Sequence, residues 1–411
     1  MKNVLFILPF LPYPLKSGGH QAIFNGIKAL VDNYNIFITY DEDATENGSL
    51  KQNELIKKLD GHIKIIPYKK QSKEGSASFA FRCYVSFWNL KEKIKKKLGL
   101  AKEMSTPSFF QIRITDDKRI LFLNDIIRQY NIDIVQCEMI SSISDVLVLP
   151  SNIKKIYVQH QIDYVRCQLD LKEKSLLDDF KEELAQCKKN EIFLLNRFNA
   201  IIVLSEYDKE LMQRDEVTTP IYVSPAIVST SIKPFEFCPK RKILSFVGPS
   251  MHSPNVNGIR WFLENCWKEL KHRSPDFKLQ IIGEWDNLLK KEIQRTYPEI
   301  IFHGYVPNLE RYVENTIMIV PINIGSGIRM KILEALSLGI PVVSTSIGAQ
   351  GLPLKDGEDC FITDSPQIFV EDILKLNNVK IQEKMVKLAQ EKIDKQYSLS
   401  SLKETRLNIY K

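Results

Sequence analysis

The run Gly325-Ser326-Gly327-Ile328-Arg329-Met330-Lys331-Ile332-Leu333-Glu334-Ala335-Leu336-Ser337-Leu338-Gly339-Ile340-Pro341-Val342-Val343-Ser344-Thr345 carries one punctuation after another. An apolar stretch at 317–320 precedes it and stops at Pro321, the glycines make a turn, a helical period begins near Ile328, and a second apolar stretch follows at 341–344. Strand, glycine turn, helix and strand in that order belong to a parallel α/β sheet. A helix that starts after a glycine turn presents free N–H groups and the positive end of its dipole, which makes an anion site. Arg329 and Lys331 add two full positive charges to the first turn, where cations are ordinarily disfavoured. Their placement asks for an anionic partner, and a diphosphate has the right charge.

The same alternation extends outward in both directions. Apolar stretches recur at 4–9, 36–40, 62–66, 132–136, 156–159 and 200–204, and the pattern restarts at 243–247, 279–282, 300–303, 317–320, 341–344 and 360–362. Strands that are apolar at nearly every position are buried on both faces, as in parallel sheets covered by helices. The expected fold class is therefore α/β, with two tandem Rossmann-like, doubly wound domains facing a cleft. Residues 1–224 form the first domain, 225–241 a linker interrupted by Pro225, Pro234 and Pro239, and 242–394 the second. The stretch 381–410 reads as helix without a strand, and 395–411 is expected to pack back on the first domain. Ligands of open α/β sheets bind at the carboxyl ends of the strands, so a cleft between two such edges can hold two substrates.

At 411 residues and 44% hydrophobic content, the chain must bury a core. The net charge of +7 is concentrated, because residues 51–103 hold 14 basic and 5 acidic side chains, a local +9 that leaves −2 for the rest. That pattern argues against nucleic acid as a partner. Within it, Phe87, Leu90, Ile94 and Leu98 lie on one helical face amid Lys91, Lys93, Lys95, Lys96 and Lys97, with Phe79, Phe81, Tyr84 and Trp88 upstream. Residues 79–102 either pack on their own domain with a solvated basic face or rest on an anionic membrane. Seven cysteines without a CxxC pair point to a reducing, cytoplasmic setting. No stretch approaches the roughly 18 to 20 apolar residues of a membrane span. The prolines at 9, 12 and 14 make the N-terminal apolar run a buried strand rather than a signal peptide.

Four further motifs fall in order with the opening run. They are Phe246-Val247-Gly248-Pro249-Ser250-Met251-His252-Ser253-Pro254-Asn255, Phe302-His303-Gly304-Tyr305-Val306-Pro307, Thr345-Ser346-Ile347-Gly348-Ala349-Gln350-Gly351-Leu352 and, in the first half, Pro14-Leu15-Lys16-Ser17-Gly18-Gly19-His20-Gln21. With them the chain resembles the retaining family 4 (group 1) glycosyltransferases of GT-B fold, over nearly its whole length. The resemblance implies that Arg329 and Lys331 hold the donor diphosphate and that Glu334 accepts hydrogen bonds from the ribose hydroxyls. Gly304, Tyr305 and Val306 would meet the base, and Gly18, Gly19, Gly248, Gly325, Ser326 and Gly327 would line the donor. His160, after the strand ending at Gln159, occupies the place of an active-site histidine near the donor sugar. Glu138 and Glu206 are fainter candidates on the acceptor side. Ser326 stands where the family's Glu-x7-Glu element carries its first acid, which leaves sugar choice and the details of retention open.

These readings imply a glycosyltransferase that moves a sugar from a nucleotide diphosphate sugar to a glycan or lipid-linked hydroxyl acceptor in cell-envelope polysaccharide or glycolipid biosynthesis. No cofactor is expected, since the nucleotide sugar is a substrate, and no metal. Asp41-Glu42-Asp43 imitates a metal-binding Asp-x-Asp pair but sits in the wrong architecture for one. The histidines and cysteines lack metal-ligand spacing, and residues 10–20 lack a dinucleotide fingerprint. Nucleotide-sugar 2-epimerisation, phosphorolysis and a non-catalytic nucleotide-sugar-binding subunit are the alternatives on the same scaffold.

Overall fold

The computed structural model describes residues 1–15, 17–42, 48–69, 117–173, 175–227, 232, 233, 235 and 241–411. The basic segment 79–102 and Asp43 lie outside the described residues. The first sheet contains β1 (Asn3–Leu8), β2 (Asn35–Tyr40), β3 (Ile63–Ile65), β4 (Ile134–Glu138), β5 (Lys154–Gln159), β6 (Ala200–Val203) and β7 (Ile221–Val223), in the order β3-β2-β1-β4-β5-β6-β7. The second contains β8 (Ile243–Val247), β9 (Lys278–Ile282), β10 (Ile301–Gly304), β11 (Ile317–Val320), β12 (Val342–Ser344) and β13 (Phe361–Ile362), in the order β10-β9-β8-β11-β12-β13. The strand pairs within both sheets are parallel. Each sheet is thus doubly wound, as expected.

Burial on both faces explains the uninterrupted apolar strands. In the first sheet Val4, Phe6 and Leu8 face one cluster with Ile23 and Ile27, while Leu5 and Ile7 face another with Leu123 and Leu195. All four residues of β11 are buried, and each such side chain contributes roughly 1.5–3 kcal/mol. In each sheet the order reverses beside the first strand, between β1 and β4 and between β8 and β11, and ligands of such folds bind at that reversal.

Most strand ends fall within two residues of the sequence reading, and the differences that matter lie at β4 and β7. β4 begins at Ile134 because the Asp133 carboxylate accepts from Asn3 N at 2.7 Å and fixes the register Val4 to Ile134. Glu138 is consequently the last residue of the strand and is buried, rather than lying in the loop after it. β7 is an unanticipated edge strand, three residues long with Tyr222 exposed, too short to read as an apolar run.

The helix Leu399–Tyr410 ties the two halves together. Ser398 caps it by accepting from Ser401 N at 3.3 Å. Its Leu402 belongs to the core of the second sheet, whereas Ile409 and Tyr410 belong to a core of the first. Lys154 Nζ donates to the Ile409 carbonyl at 2.7 Å, and Arg406 Nε donates to Ser224 Oγ at 2.9 Å. Among the described residues no helix is long and apolar enough to cross a membrane.

Candidate active site

At the reversal of the second sheet, the loop after β11 and the helix Met330–Ser337 meet the loop after β8. Lys331 Nζ donates to Asn255 Oδ1 at 2.9 Å and stands 4.3 Å from the Phe246 ring centroid. Asn255 is held in turn by donating to the Pro249 carbonyl at 2.8 Å. A Cβ on Gly248, at φ +151°, would come within 2.6 Å of Asn255 Nδ2 and 2.9 Å of Lys331 Nζ, so the lysine depends on a glycine there. Arg329 Nη1 donates to the carbonyls of Ser326 at 2.6 Å and Gly327 at 2.7 Å, which shapes the glycine turn. Its Nη2 and the hydroxyl of Ser326 are buried without a hydrogen-bond partner among the described residues. Burial lowers Lys331 to about 7, with Arg329 adding to the effect, and lowers Arg329 to about 10 against the pull of Asp208. Burial raises Glu334 to about 7. Three ionisable groups within six residues are therefore held in environments that penalise their charged forms.

The reversal of the first sheet lies against this turn. The helix Gly18–Lys28 begins with Ser17 as cap, and Ser17 Oγ also lies 2.7 Å from His20 Nδ1. A Cβ on Gly18 would stand 2.8 Å from Met330 Cγ, so the two helix starts are in contact. Both present free N–H groups to one region. His160, just after β5, places Nε2 2.5 Å from Glu138 Oε2 at the end of β4. Gly327, at φ +81°, closes the arrangement, because a Cβ there would lie 3.0 Å from the His160 carbonyl. The glycine turn therefore meets the backbone of the loop that carries the histidine. Among the described residues no group of three His, Cys, Asp or Glu is placed to hold a metal ion. Asp41 is bound instead to Arg119 at 2.9 Å.

Comparison with known proteins now bears on this geometry. Residues 241–378, which contain Gly248, Asn255, Arg329, Lys331 and Glu334, match the family described as glycosyl transferases group 1. The second domain is a group 1 glycosyltransferase domain. The chain that carries it is a glycosyltransferase of GT-B fold. An uncharacterized 44.6 kDa protein in the cps region of Klebsiella pneumoniae is 27% identical over 265 residues, covering 54% of this chain and 68% of that one. A variant of S. aureus TarM, solved with fondaparinux, alpha-GlcNAc-glycerol and UDP, superposes with a TM-score of 0.71 at 15% identity over 100% of both chains. HepE from Anabaena, in complex with UDP and glucose, superposes at 0.67 with 12% identity over 100% of this chain and 99% of its own. The lipopolysaccharide outer core galactosyltransferase WaaB reaches 0.58 at 15% identity, over 100% and 99%.

In this glycosyltransferase the expected residues divide into those the fold gathers and those it leaves apart. Gly18, Gly19, Glu138, His160, Gly248, Gly325, Ser326, Gly327, Arg329 and Lys331 lie on the facing edges, and Glu334 lies one turn further along the helix Met330–Ser337. Gly304 ends β10, with Tyr305 and Val306 just after it; the Gly304 carbonyl accepts from Gly283 N at 2.7 Å and Tyr305 is exposed. Glu206 is not gathered. It is exposed on the first turn of the helix Glu206–Arg214, 3.6 Å from Lys209 Nζ, and lines a separate surface cavity with Tyr222 and Thr405. Its helix turns about 100° per residue, so Asp208, roughly 200° around, is the acid that faces inward toward Arg329. Asp208 accepts from Ser205 Oγ at 2.7 Å, and a Cβ on Gly351 would lie 3.1 Å from Ser205 Cβ. Asp208, Asn255 and Trp285, whose Nε1 donates to the Gly248 carbonyl at 2.8 Å, join the site without having been singled out from sequence. For Asn255 the signal was present, since it ends the motif that contains Gly248.

Proposed function

We propose that this glycosyltransferase moves a sugar, with retention of anomeric configuration, from a nucleotide diphosphate sugar to a hydroxyl acceptor in cell-envelope polysaccharide or glycolipid assembly. The observation that carries the reading is the pairing of Arg329 and Lys331 at a helix start in contact with a second helix start, opposite the His160–Glu138 pair. A diphosphate bound there receives two cations and two sets of free N–H groups. As the glycosidic C–O bond breaks, these groups stabilise the charge that builds on the leaving diphosphate, without reorganising. Glu334 accepts the ribose hydroxyls, and the loop 304–306 meets the base. His160, held by Glu138, contacts the donor sugar. Because side chains and helix starts neutralise the leaving group, turnover is expected to survive chelation of divalent ions. The UDP bound to TarM and HepE makes uridine the first base to test, and the cps-region relative favours a polysaccharide acceptor.

The test is thermal unfolding of wild type and Arg329→Ala with UDP, GDP, ADP, CMP and dTDP, since a ligand of the native state adds RT ln(1 + [L]/Kd) to stability. One diphosphate should raise the midpoint, and the rise should shrink in Arg329→Ala. A folded protein that responds to none of them rejects the donor site. NMR of the product's anomeric proton then separates retention from inversion.

A further inference from the structure

Buried in the first sheet is a polar chain that connects the helix Leu399–Tyr410 to His160. Gln136, on β4 between Phe6 of β1 and Ile156 of β5, is fully buried. A buried amide is tolerated only when both of its ends are hydrogen-bonded. Its Oε1 accepts from the Tyr410 hydroxyl, and its Nε2 donates to Glu138 Oε1. The other carboxylate oxygen, Glu138 Oε2, faces His160 Nε2 at 2.5 Å. The phenol has a hydrogen to give and takes the amide oxygen, which turns the amide nitrogen toward Glu138. An ionised Glu138 accepts at both oxygens, so the ring nitrogen it meets carries a proton. Burial raises the Tyr410 phenol well above its ordinary range, so at neutral pH the hydroxyl keeps its proton.

We infer that Tyr410 is a positioning residue for the active site: through Gln136 and Glu138 it fixes His160 as the Nε2–H tautomer and holds its ring against the Glu138 carboxylate, on a residue whose backbone meets the glycine turn of the second domain. The inference deepens the proposed role of His160 and rests on it for its catalytic consequence. Its structural content stands apart, because the tautomer of His160 is measurable without turnover. Tyr410 shares its helix with Leu402, which packs in the core of the donor domain. The chain thus links the seating of that helix across both domains to the state of the histidine.

The experiment compares wild type with Tyr410→Phe, which keeps the ring and drops the hydroxyl. Nitrogen NMR of histidine-labelled protein should show His160 as Nε2–H in wild type and a mixture of tautomers in Tyr410→Phe. In a synthesis assay, Tyr410→Phe should lower kcat on the order of tenfold with donor KM unchanged. In a His160→Ala background the same substitution should have no further effect on kcat. An unchanged His160 spectrum in folded Tyr410→Phe overturns the inference, and so does an equal kcat loss in both backgrounds. If Tyr410→Phe does not fold, Gln136→Met removes the same link and must give the same tautomer mixture, or the inference fails. A tautomer change combined with full activity of His160→Ala keeps the relay and rejects the catalytic role of His160, which separates the two failures.

Discussion

At the end of β4, the Tyr410 hydroxyl, both ends of the Gln136 amide and both oxygens of Glu138 are engaged within the protein. At the end of β11, Arg329 Nη2 and Ser326 Oγ have no partner among the described residues, and burial works against the charges of Lys331 and Glu334. Both edges sit at the strand-order reversal of a doubly wound sheet, so topology does not account for the contrast. Their tasks do. The end of β4 is assembled by the fold and holds a fixed geometry, whereas the end of β11 is strained electrostatically and, on the proposed function, relaxes when an anion arrives. On that proposal, binding energy there is released where the leaving group develops charge, which is how an interaction favours the transition state.

The contrast predicts opposite signs for stability. Lys331→Met should lower kcat by about 10²–10³, equivalent to roughly 3–4 kcal/mol, without lowering the thermal midpoint, because the lysine is held against desolvation. Glu138→Ala should lower the midpoint as well as kcat, since it leaves Gln136 Nε2 and His160 Nε2 without their acceptor at a cost of about 1–3 kcal/mol. Thermal unfolding and steady-state kinetics on both variants check the pair. If both midpoints fall alike, the distinction between the two edges is wrong. Gly248→Ala should act on the second edge alone. The added methyl displaces Asn255 and Lys331, and nucleoside diphosphate affinity measured by calorimetry should weaken about tenfold, or about 1.4 kcal/mol.

The same contrast governs what the sequence reveals. The residues proposed for the donor side, Ser326, Arg329, Lys331 and Glu334, fall within nine positions, because one glycine turn and the helix after it carry them. A contiguous site is legible. The other edge comes from positions 136, 138, 160 and 410, which only tertiary structure unites. Gln136 reads as one polar residue in an apolar strand, and Tyr410 as part of an apolar helix face. His160 and Glu138 were visible because parallel strands display their function at their carboxyl ends. Glu206 was misleading for a related reason: the end of β6 was right, but the phase of the following helix turns Asp208 inward instead. The strands themselves were legible wherever burial on both faces made them uniformly apolar, and β7, at an edge, was not.

The finest test of the electrostatic argument is the proton balance of donor binding. Lys331 near 7 is largely neutral at pH 8, and a bound diphosphate favours its charged form, so binding at pH 8 should take up a proton. Glu334 near 7 is largely protonated at pH 6, and accepting ribose hydroxyls favours the carboxylate, so binding at pH 6 should release one. Affinity is then greatest near neutrality, falling above it as Lys331 loses its proton and below it as Glu334 gains one. A nucleotide sugar is the ligand to use, because its diphosphate diester does not titrate in this range. Calorimetry in buffers of different ionisation enthalpy reads the proton count and its sign. Lys331→Met should abolish the uptake at pH 8 and keep the release at pH 6, while Glu334→Gln should do the reverse. Uptake that persists in Lys331→Met belongs to another group and removes the lysine from the phosphate site.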